Sequence, residues 1–174
     1  MNIVVLFETG EGQTRKIAEF ITSRIRAAGH DVTTVDTSDR MVDLSLESAG
    51  KVILAAPVHE RRHPKAFEVA VGAAKHELAK LSTLMVSVSL KAAFPESMDE
   101  AQDYLTEMEM RTGFEPTQEA LVAGAVRTGS YDYYQSQIVR HVALEGHDVE
   151  LIDGVREFTD WDALAETVDS FLST

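Results

Sequence analysis

Short, unbroken runs of apolar, β-favouring residues alternate along this chain with segments of helical period, and that alternation constrains the fold more than any other feature. Asn2 to Phe7, Lys51 to Ala56, Thr83 to Val88 and Ala120 to Val126 read as strands buried on both faces, since a half-exposed strand would alternate apolar with polar residues. Pro57 stops the second of these. Asp31 to Asp36 is more polar and suits an edge. Four helical faces fall between and after the strands. Ile17, Phe20, Ile21 and Ile25 make the first, which Gly29 ends. Phe67, Val71, Ala74 and Leu78 make the second, with Pro64 suited to the first helical position. Met98, Ala101, Leu105 and Met108 follow the capping-box pattern Ser97-Met98-Asp99-Glu100. Trp161, Leu164, Val168 and Leu172 form the last face, with a second capping box over Thr159 to Asp162. Residues Thr37 to Ala49 fit a short helix or a loop equally. Strands joined through helices run parallel, so the expected class is α/β: a doubly wound five-stranded parallel sheet covered on both faces.

The 174 residues fit a single domain, residues 1–174, with no internal repeat and no low-complexity linker. One stretch is irregular. Arg127 to Glu157 opens with Gly129-Ser130-Tyr131-Asp132-Tyr133-Tyr134, continues as a helix and offers strand again at His147 to Ile152. It is too long for a βα connection and too patterned for a tail, so it reads as an insertion near the fifth strand, its tyrosines used in packing.

Composition narrows the function. No cysteine is present, which excludes disulfides, thiolate metal sites and a cysteine nucleophile, and fits a reducing compartment. Acidic residues outnumber basic ones 29 to 16, for a net charge of −13, so nucleic acid is not expected as a partner. Such a surface suits a salt-adapted or an ordinary acidic protein. The six histidines are scattered without carboxylate pairs at ligand spacing, so no metal site is expected. No apolar run approaches the length of a membrane span, and the first is too short for a signal peptide. A cytoplasmic protein is the expectation.

The segment with most chemistry is Glu8-Thr9-Gly10-Glu11-Gly12-Gln13-Thr14, between the first strand and the first helix. A chain turning there presents unpaired N–H groups at the positive end of the helix dipole, where a phosphate can be bound without lysine. Gly10 and Gly12 let the backbone wrap closely, and Thr9 and Thr14 add hydroxyls. A Walker loop would need lysine before Thr14, where Gln13 stands. A dinucleotide fingerprint would need a third glycine where Arg15 stands. A Thr-rich mononucleotide loop fits best; a glycine-containing βα turn without a ligand is the plainer alternative.

The stretch LFETGEGQTRKIAEFI resembles the opening of flavodoxin-like proteins. The blocks APVHERRHPKAFEVAV, SVSLKAAFPE, AGAVRTGSYDYY and EFTDWDAL resemble the menaquinone-dependent protoporphyrinogen IX dehydrogenase family, in the same order along nearly the whole chain. The resemblance implies a long-chain flavodoxin fold with strand order 2-1-3-4-5 and noncovalently bound FMN. It further implies oxidation of protoporphyrinogen IX, in haem biosynthesis, with electrons passed to a quinone. Peripheral contact with the inner face of the membrane would follow from such an acceptor. That family carries basic residues after strands 4 and 5. Here Lys91, Arg127 and Arg140 stand among Glu96, Asp99, Glu100, Asp103, Glu145 and Asp148, which is a departure.

Ligands of a doubly wound sheet occupy the crevice at the carboxyl ends of its strands. With phosphate on the first loop, the loops after strands 3 and 4 flank the flavin ring. Pro57, Val58 and His59 would stand on one side, and Ser87, Val88, Ser89, Leu90 and the apolar Phe94 on the other. Arg61, Arg62 and His63 are candidates for substrate contact, the arginines as receivers of carboxylates or as a solvated loop. His59 suits a redox-linked proton donor, and His63 a helix cap. No protein nucleophile is required, because the flavin carries the chemistry. Carrier flavodoxins commonly stack the ring between a Trp and a Tyr. No such residue lies between Pro57 and Pro64, and the single tryptophan is Trp161, expected in the core. An enzyme with an open flavin face is therefore favoured over an electron carrier meeting redox proteins.

Overall fold

A computed structural model describes residues 1–41, 43–127 and 155–174. Strands β1 (Asn2–Phe7), β2 (Asp31–Asp36), β3 (Ala49–Pro57), β4 (Ser82–Ser89) and β5 (Gln118–Ala123) form a parallel sheet in the order β2-β1-β3-β4-β5. The polar strand β2 takes the edge, as its composition required. From β1 the chain steps outward to β2 and then returns past β1 to β3, so neighbouring connections leave on opposite faces. A crevice opens at that point, at the carboxyl ends of β1 and β3.

The helices are α1 (Gln13–Ala27), α2 (Lys65–Ala73), the short α3 (Lys75–Leu78), α4 (Met98–Thr112) and α5 (Trp161–Ser173). The period-two pleat sorts each apolar run between two cores. Ile3, Val5, Ile53, Leu84 and Val86 face Ile17, Ile21 and Ile25 of α1 and Leu164, Val168 and Phe171 of α5. Val4, Leu6, Val52, Leu54 and Met85 face Phe67 and Val71 of α2, Leu78, and Leu105 and Met108 of α4. Both faces are covered, which explains why the strand sequences are apolar without interruption. Among the described residues no helix is long and apolar enough to cross a membrane.

Several local expectations are corrected. Strand β5 ends at Ala123 and does not run on to Val126: the Gly124 N–H turns to the Ser89 carbonyl (3.1 Å). The next residues form a separate antiparallel pair, β6 (Ala125–Arg127) with β7 (Val155–Glu157). This pair joins the two ends of the insertion, whose tyrosines, Arg140 and His147 to Ile152 lie outside the described residues. Pro64 is the N-cap of α2 and not its first residue. Neither capping box forms as expected. The Ser97 hydroxyl donates to the Lys91 carbonyl (2.8 Å), and Asp160, not Thr159, caps α5 by accepting from the Ala163 N–H (3.0 Å). Met98 lies at the exposed start of α4 and off its buried face. Thr37 to Ala49 contributes only the start of β3; the described residues before it form turns and irregular chain.

Lys51 is a cation within an apolar strand. Its Nζ donates to the carbonyls of Phe171 (2.6 Å) and Leu172 (3.3 Å), so the ammonium closes the last turn of α5 against the sheet. A cation at a helix C-terminus satisfies carbonyls that lack a helical partner and complements the dipole.

Candidate functional site

Two cavities of similar volume indent the described part of the molecule. One, of about 740 Å³, lies beside the start of β3, between residues 43–49 and α2–α3. Its charged residues, Asp43, Glu47, Glu77 and Lys80, are all exposed. The other, of about 690 Å³, lies at the carboxyl ends of the strands. It is lined by Glu8 to Glu11, Gln13, Thr14, Pro57 to Lys65, Val88 to Lys91, Tyr104, Gly124 and Ala125. Of the two, the second cleft alone combines the switch point, a helix N-terminus and buried polar side chains, and it is the candidate site.

Its floor is the loop entering α1. Gly12 is the left-handed N-cap (φ 100°), and its N–H donates to Thr9 Oγ1 (3.0 Å), folding the loop back on itself. The first helical bond runs from the Lys16 N–H to the Gly12 carbonyl, so the amides ahead of Lys16 have no carbonyl one turn back. Thr14 is buried and still borders the cleft. Above Gly10 the space is open: a Cβ built there meets no described atom within 4 Å. Gln13 is anchored from outside the loop. Its Nε2 donates to Glu157 Oε2 (3.1 Å) and to Thr159 Oγ1 (3.0 Å), while the Thr159 hydroxyl donates to the Ala123 carbonyl (2.7 Å). Glu157 also accepts from Lys16 (2.6 Å) and from the indole N–H of Trp161 (2.7 Å). Burial pushes the Glu157 carboxyl up, but these donors outweigh it and hold it below its ordinary value. Trp161 packs half-buried on Phe20, away from the cleft.

One wall is a tight turn. The His59 N–H donates to the Arg62 carbonyl (2.9 Å), and the Arg62 N–H to the His59 carbonyl (3.1 Å). Glu60 (φ 50°) and Arg61 (φ 67°) both stand in the left-handed region. Two-residue turns of this kind favour Asn-Gly; a non-glycine residue there costs on the order of 1–2 kcal/mol. A charged tether holds the turn. Glu68, buried on α2, accepts from Arg62 (3.2 Å) and, through both oxygens, from Arg111 of α4 (2.7 Å at the closest). Burial pushes the Glu68 carboxyl up, yet Arg111 and then Arg62 hold it below its ordinary value.

His63 lies beneath the turn at 2% exposure and does not serve as the helix cap expected of it. Its Nε2 lies 2.8 Å from the Ser87 hydroxyl, and its Nδ1 is buried without a partner. Burial lowers its pKa to about 4, with Glu68 opposing and Arg111 assisting, so the imidazole is neutral at ordinary pH. At the far end, Lys91 is buried with its ammonium 3.4 Å from Glu100, which also accepts from the Tyr104 hydroxyl (3.3 Å). The Ser89 hydroxyl accepts from the Ala92 N–H (3.2 Å), shaping the chain after β4.

The cleft thus brings together Thr9, Gly10, Glu11, Gln13, Thr14, Pro57, Val58, His59, Arg61, Arg62, His63, Val88, Ser89 and Leu90. Three residues singled out from the sequence do not line it. Gly12 shapes the loop from behind, Ser87 lies under His63, and Phe94 packs edge-on against Phe158 with ring centres 5.6 Å apart. Tyr104 and Glu68 were missed. Each lies one residue from an apolar position used to define its helical face, and a polar group beside such a face is the signal that could have found them.

A model of the flavodoxin domain matches residues 4–150. The chain belongs to the flavodoxin domain family. This flavodoxin domain is 25% identical to protoporphyrinogen IX dehydrogenase [quinone] of Escherichia coli (strain K12), over 95% of this chain and 91% of that protein. Its fold is shared with oxidised flavodoxin 1 from Bacillus cereus at a TM-score of 0.59 and 16% identity, covering 99% of this chain and 98% of that one. A putative quinone reductase from Klebsiella pneumoniae matches at a TM-score of 0.57 and 13% identity, covering 100% of this chain and 86% of that one.

Proposed function

We propose that this flavodoxin domain binds FMN in the cleft and oxidises a porphyrinogen, protoporphyrinogen IX in the first instance, with a quinone as acceptor. The observation that carries the substrate and acceptor is the match to the Escherichia coli dehydrogenase over 95% of this chain. The residues present fit the cofactor. The open space above Gly10, the amides at the start of α1 and the buried Thr14 suit a phosphate. Pro57, Val58 and His59 would stand on one side of the ring, with Val88, Ser89 and Leu90 on the other. When bound, FMN supplies a ring able to take up a pair of electrons.

The chain's own part is to bind, orient and exclude. The Thr9–Gly12 bond fixes the loop, the Gln13–Glu157–Thr159 contacts fix the helix start, and Ser87 orients the neutral His63 from below. For each pair of electrons and protons removed from the porphyrinogen, one quinone becomes a quinol, so the reaction balances without another reactant. Among the described residues lining the cleft, Tyr104 is the only Phe, Trp or Tyr. A ring held there keeps a face free for a substrate, which favours an enzyme over a carrier. The reading places the protein in the cytoplasm, in passing contact with the membrane that holds the quinone.

Anaerobic incubation of the purified protein with protoporphyrinogen IX and a soluble quinone tests the reading. Quinone-dependent growth of porphyrin fluorescence is expected, from a yellow protein releasing one FMN per chain. No turnover, together with rapid one-electron exchange with redox proteins, would make it a carrier. A colourless protein that takes up no FMN sinks both. Within this reading, Thr14→Ala weakens FMN binding by about 1–3 kcal/mol, the scale of a hydrogen bond to a charged group. Fluorescence titration of apoprotein measures it. Unchanged affinity with a lowered urea midpoint would make Thr14 a structural residue only.

A further inference from the structure

We propose that Arg61 is the specificity-determining residue of the cleft, held in a strained turn so that its guanidinium meets a carboxylate of the substrate. The inference rests on the porphyrinogen reading above and deepens it.

Three observations carry it. The first is the turn. Glu60 and Arg61 occupy two consecutive left-handed positions where glycine would be unstrained, and the pair of bonds between His59 and Arg62 closes the turn around them. A strained backbone persists where surrounding structure over-determines it, and such sites cluster at ligand clamps. The second is the division of labour between adjacent arginines. Arg62 is drawn to Glu68, which Arg111 secures from the other side. Arg61 is exposed, lines the cleft and has no carboxylate partner among the described residues, in a chain whose acids outnumber its bases 29 to 16. The third is what lies at that end of the cleft. Lys91 and Tyr104 line it too, both engaged with Glu100, and the Arg61 charge is felt at the Tyr104 hydroxyl, where it opposes burial.

Charges of both signs line the cleft: Glu8, Glu11 and Glu60 are acidic, with His59 3.6 Å from Glu11, and Arg61, Arg62, Lys65 and Lys91 are basic. A carboxylated substrate entering such a cleft needs a cation that no protein carboxylate already holds. Arg62 is drawn to Glu68 and Lys91 to Glu100, whereas Arg61, at the tip of the turn, has no such partner among the described residues. A guanidinium offers a planar fork that matches a carboxylate, which an ammonium does not.

The test is Arg61→Gly in the FMN-loaded protein. Glycine accepts the left-handed conformation, so the urea midpoint rises while FMN occupancy holds. KM for protoporphyrinogen rises about tenfold, the scale of one charge-assisted hydrogen bond, with the loss falling on KM more than on kcat. Arg61→Lys falls between parent and glycine variant. The dimethyl ester of the same porphyrinogen, which has no carboxylate, shows no difference between parent and variant. An unchanged KM, or an equal loss for acid and ester, overturns the recognition role. A midpoint that does not rise overturns the strain. If the parent shows no turnover, the functional reading fails separately, and the inference is then decided by absorbance titration with the dicarboxylic porphyrin product. Weaker binding by the glycine variant sustains it, and equal binding overturns it.

Discussion

Glu68→Leu lowers the stability of this flavodoxin domain by about 3 kcal/mol, and it does so by releasing two cations at once. The Glu68 side chain is 7% exposed and takes hydrogen bonds from Arg62 and Arg111. Removing one member of a buried ion pair costs about 3–5 kcal/mol, because the charge left behind has lost its partner. Here the side chains of Arg62 and Arg111 are 55% and 30% exposed and recover some hydration, which puts the cost at the low end of that range. Denaturant unfolding of the apoprotein measures it. Arg111→Met alone lowers stability, and the double variant Glu68→Leu with Arg111→Met loses less than the sum of the two, since the second removal no longer strands a charge. Strict additivity would mean that the three groups do not act as a unit. The effect also has a pH signature. The Glu68 carboxyl titrates below its ordinary value of 4.5, so its contribution is complete above that pH and fades as acid passes through the depressed value. His63 contributes in a higher window. Its buried imidazole is neutral down to about pH 4, against an ordinary value of 6.5, so stability declines as pH falls from 6.5 towards 4. In Glu68→Leu the deeper acid limb is lost, and the His63 limb extends further into acid because the carboxylate that raised the imidazole's pKa is gone.

What the sequence made legible, and what it did not, follows from the range of the forces involved. Strand runs such as Val4 to Leu6 and Val52 to Ala56 are local signals, because a strand covered on both faces has no polar position to interrupt it. The loop from Thr9 to Thr14 is local as well: glycines, hydroxyls and the start of a helix occur together within one turn of chain. The Ser97 capping box was equally visible and misleading, because its hydroxyl had a tertiary competitor in the Lys91 carbonyl. The end of β5 was missed for a related reason. Ala125 and Val126 have strand composition, but pairing with Arg156 and Glu157 on the return of the insertion takes them out of the parallel sheet. The supports of the site are long-range throughout. Gln13 meets Glu157, Glu68 meets Arg111 and His63 meets Ser87, and no period or spacing in the sequence announces any of them.

Glu109→Gln, near the C-terminal end of the long helix α4, should stabilise the protein in a way that depends on pH. Glu109 lies in the last turn of α4, where the helix dipole disfavours a negative charge. Its Oε1 is buried without a hydrogen-bond partner, and Glu119 of β5 and Glu115 stand close. Burial first, then the hydrogen bond and charge of Glu119, then the charge of Glu115 push the Glu109 carboxyl up to about 8. The physical content is a proton shared with Glu119, which supplies the donor that two ionised carboxylates lack. A carboxyl raised in the folded state contributes stability that is complete below its ordinary value of 4.5 and lost as pH rises through about 8. The amide introduced by Glu109→Gln needs no shared proton, since it carries its own donor to Glu119 at every pH. The side chain is only half-buried, so the gain is discounted to about 1–2 kcal/mol near pH 9, shrinking to nothing near pH 5. Urea midpoints measured across that range for parent and variant should converge on the acid side and separate on the alkaline side. Two curves that run parallel would show that Glu109 is ionised in the native protein and that its neighbours are held off by solvent.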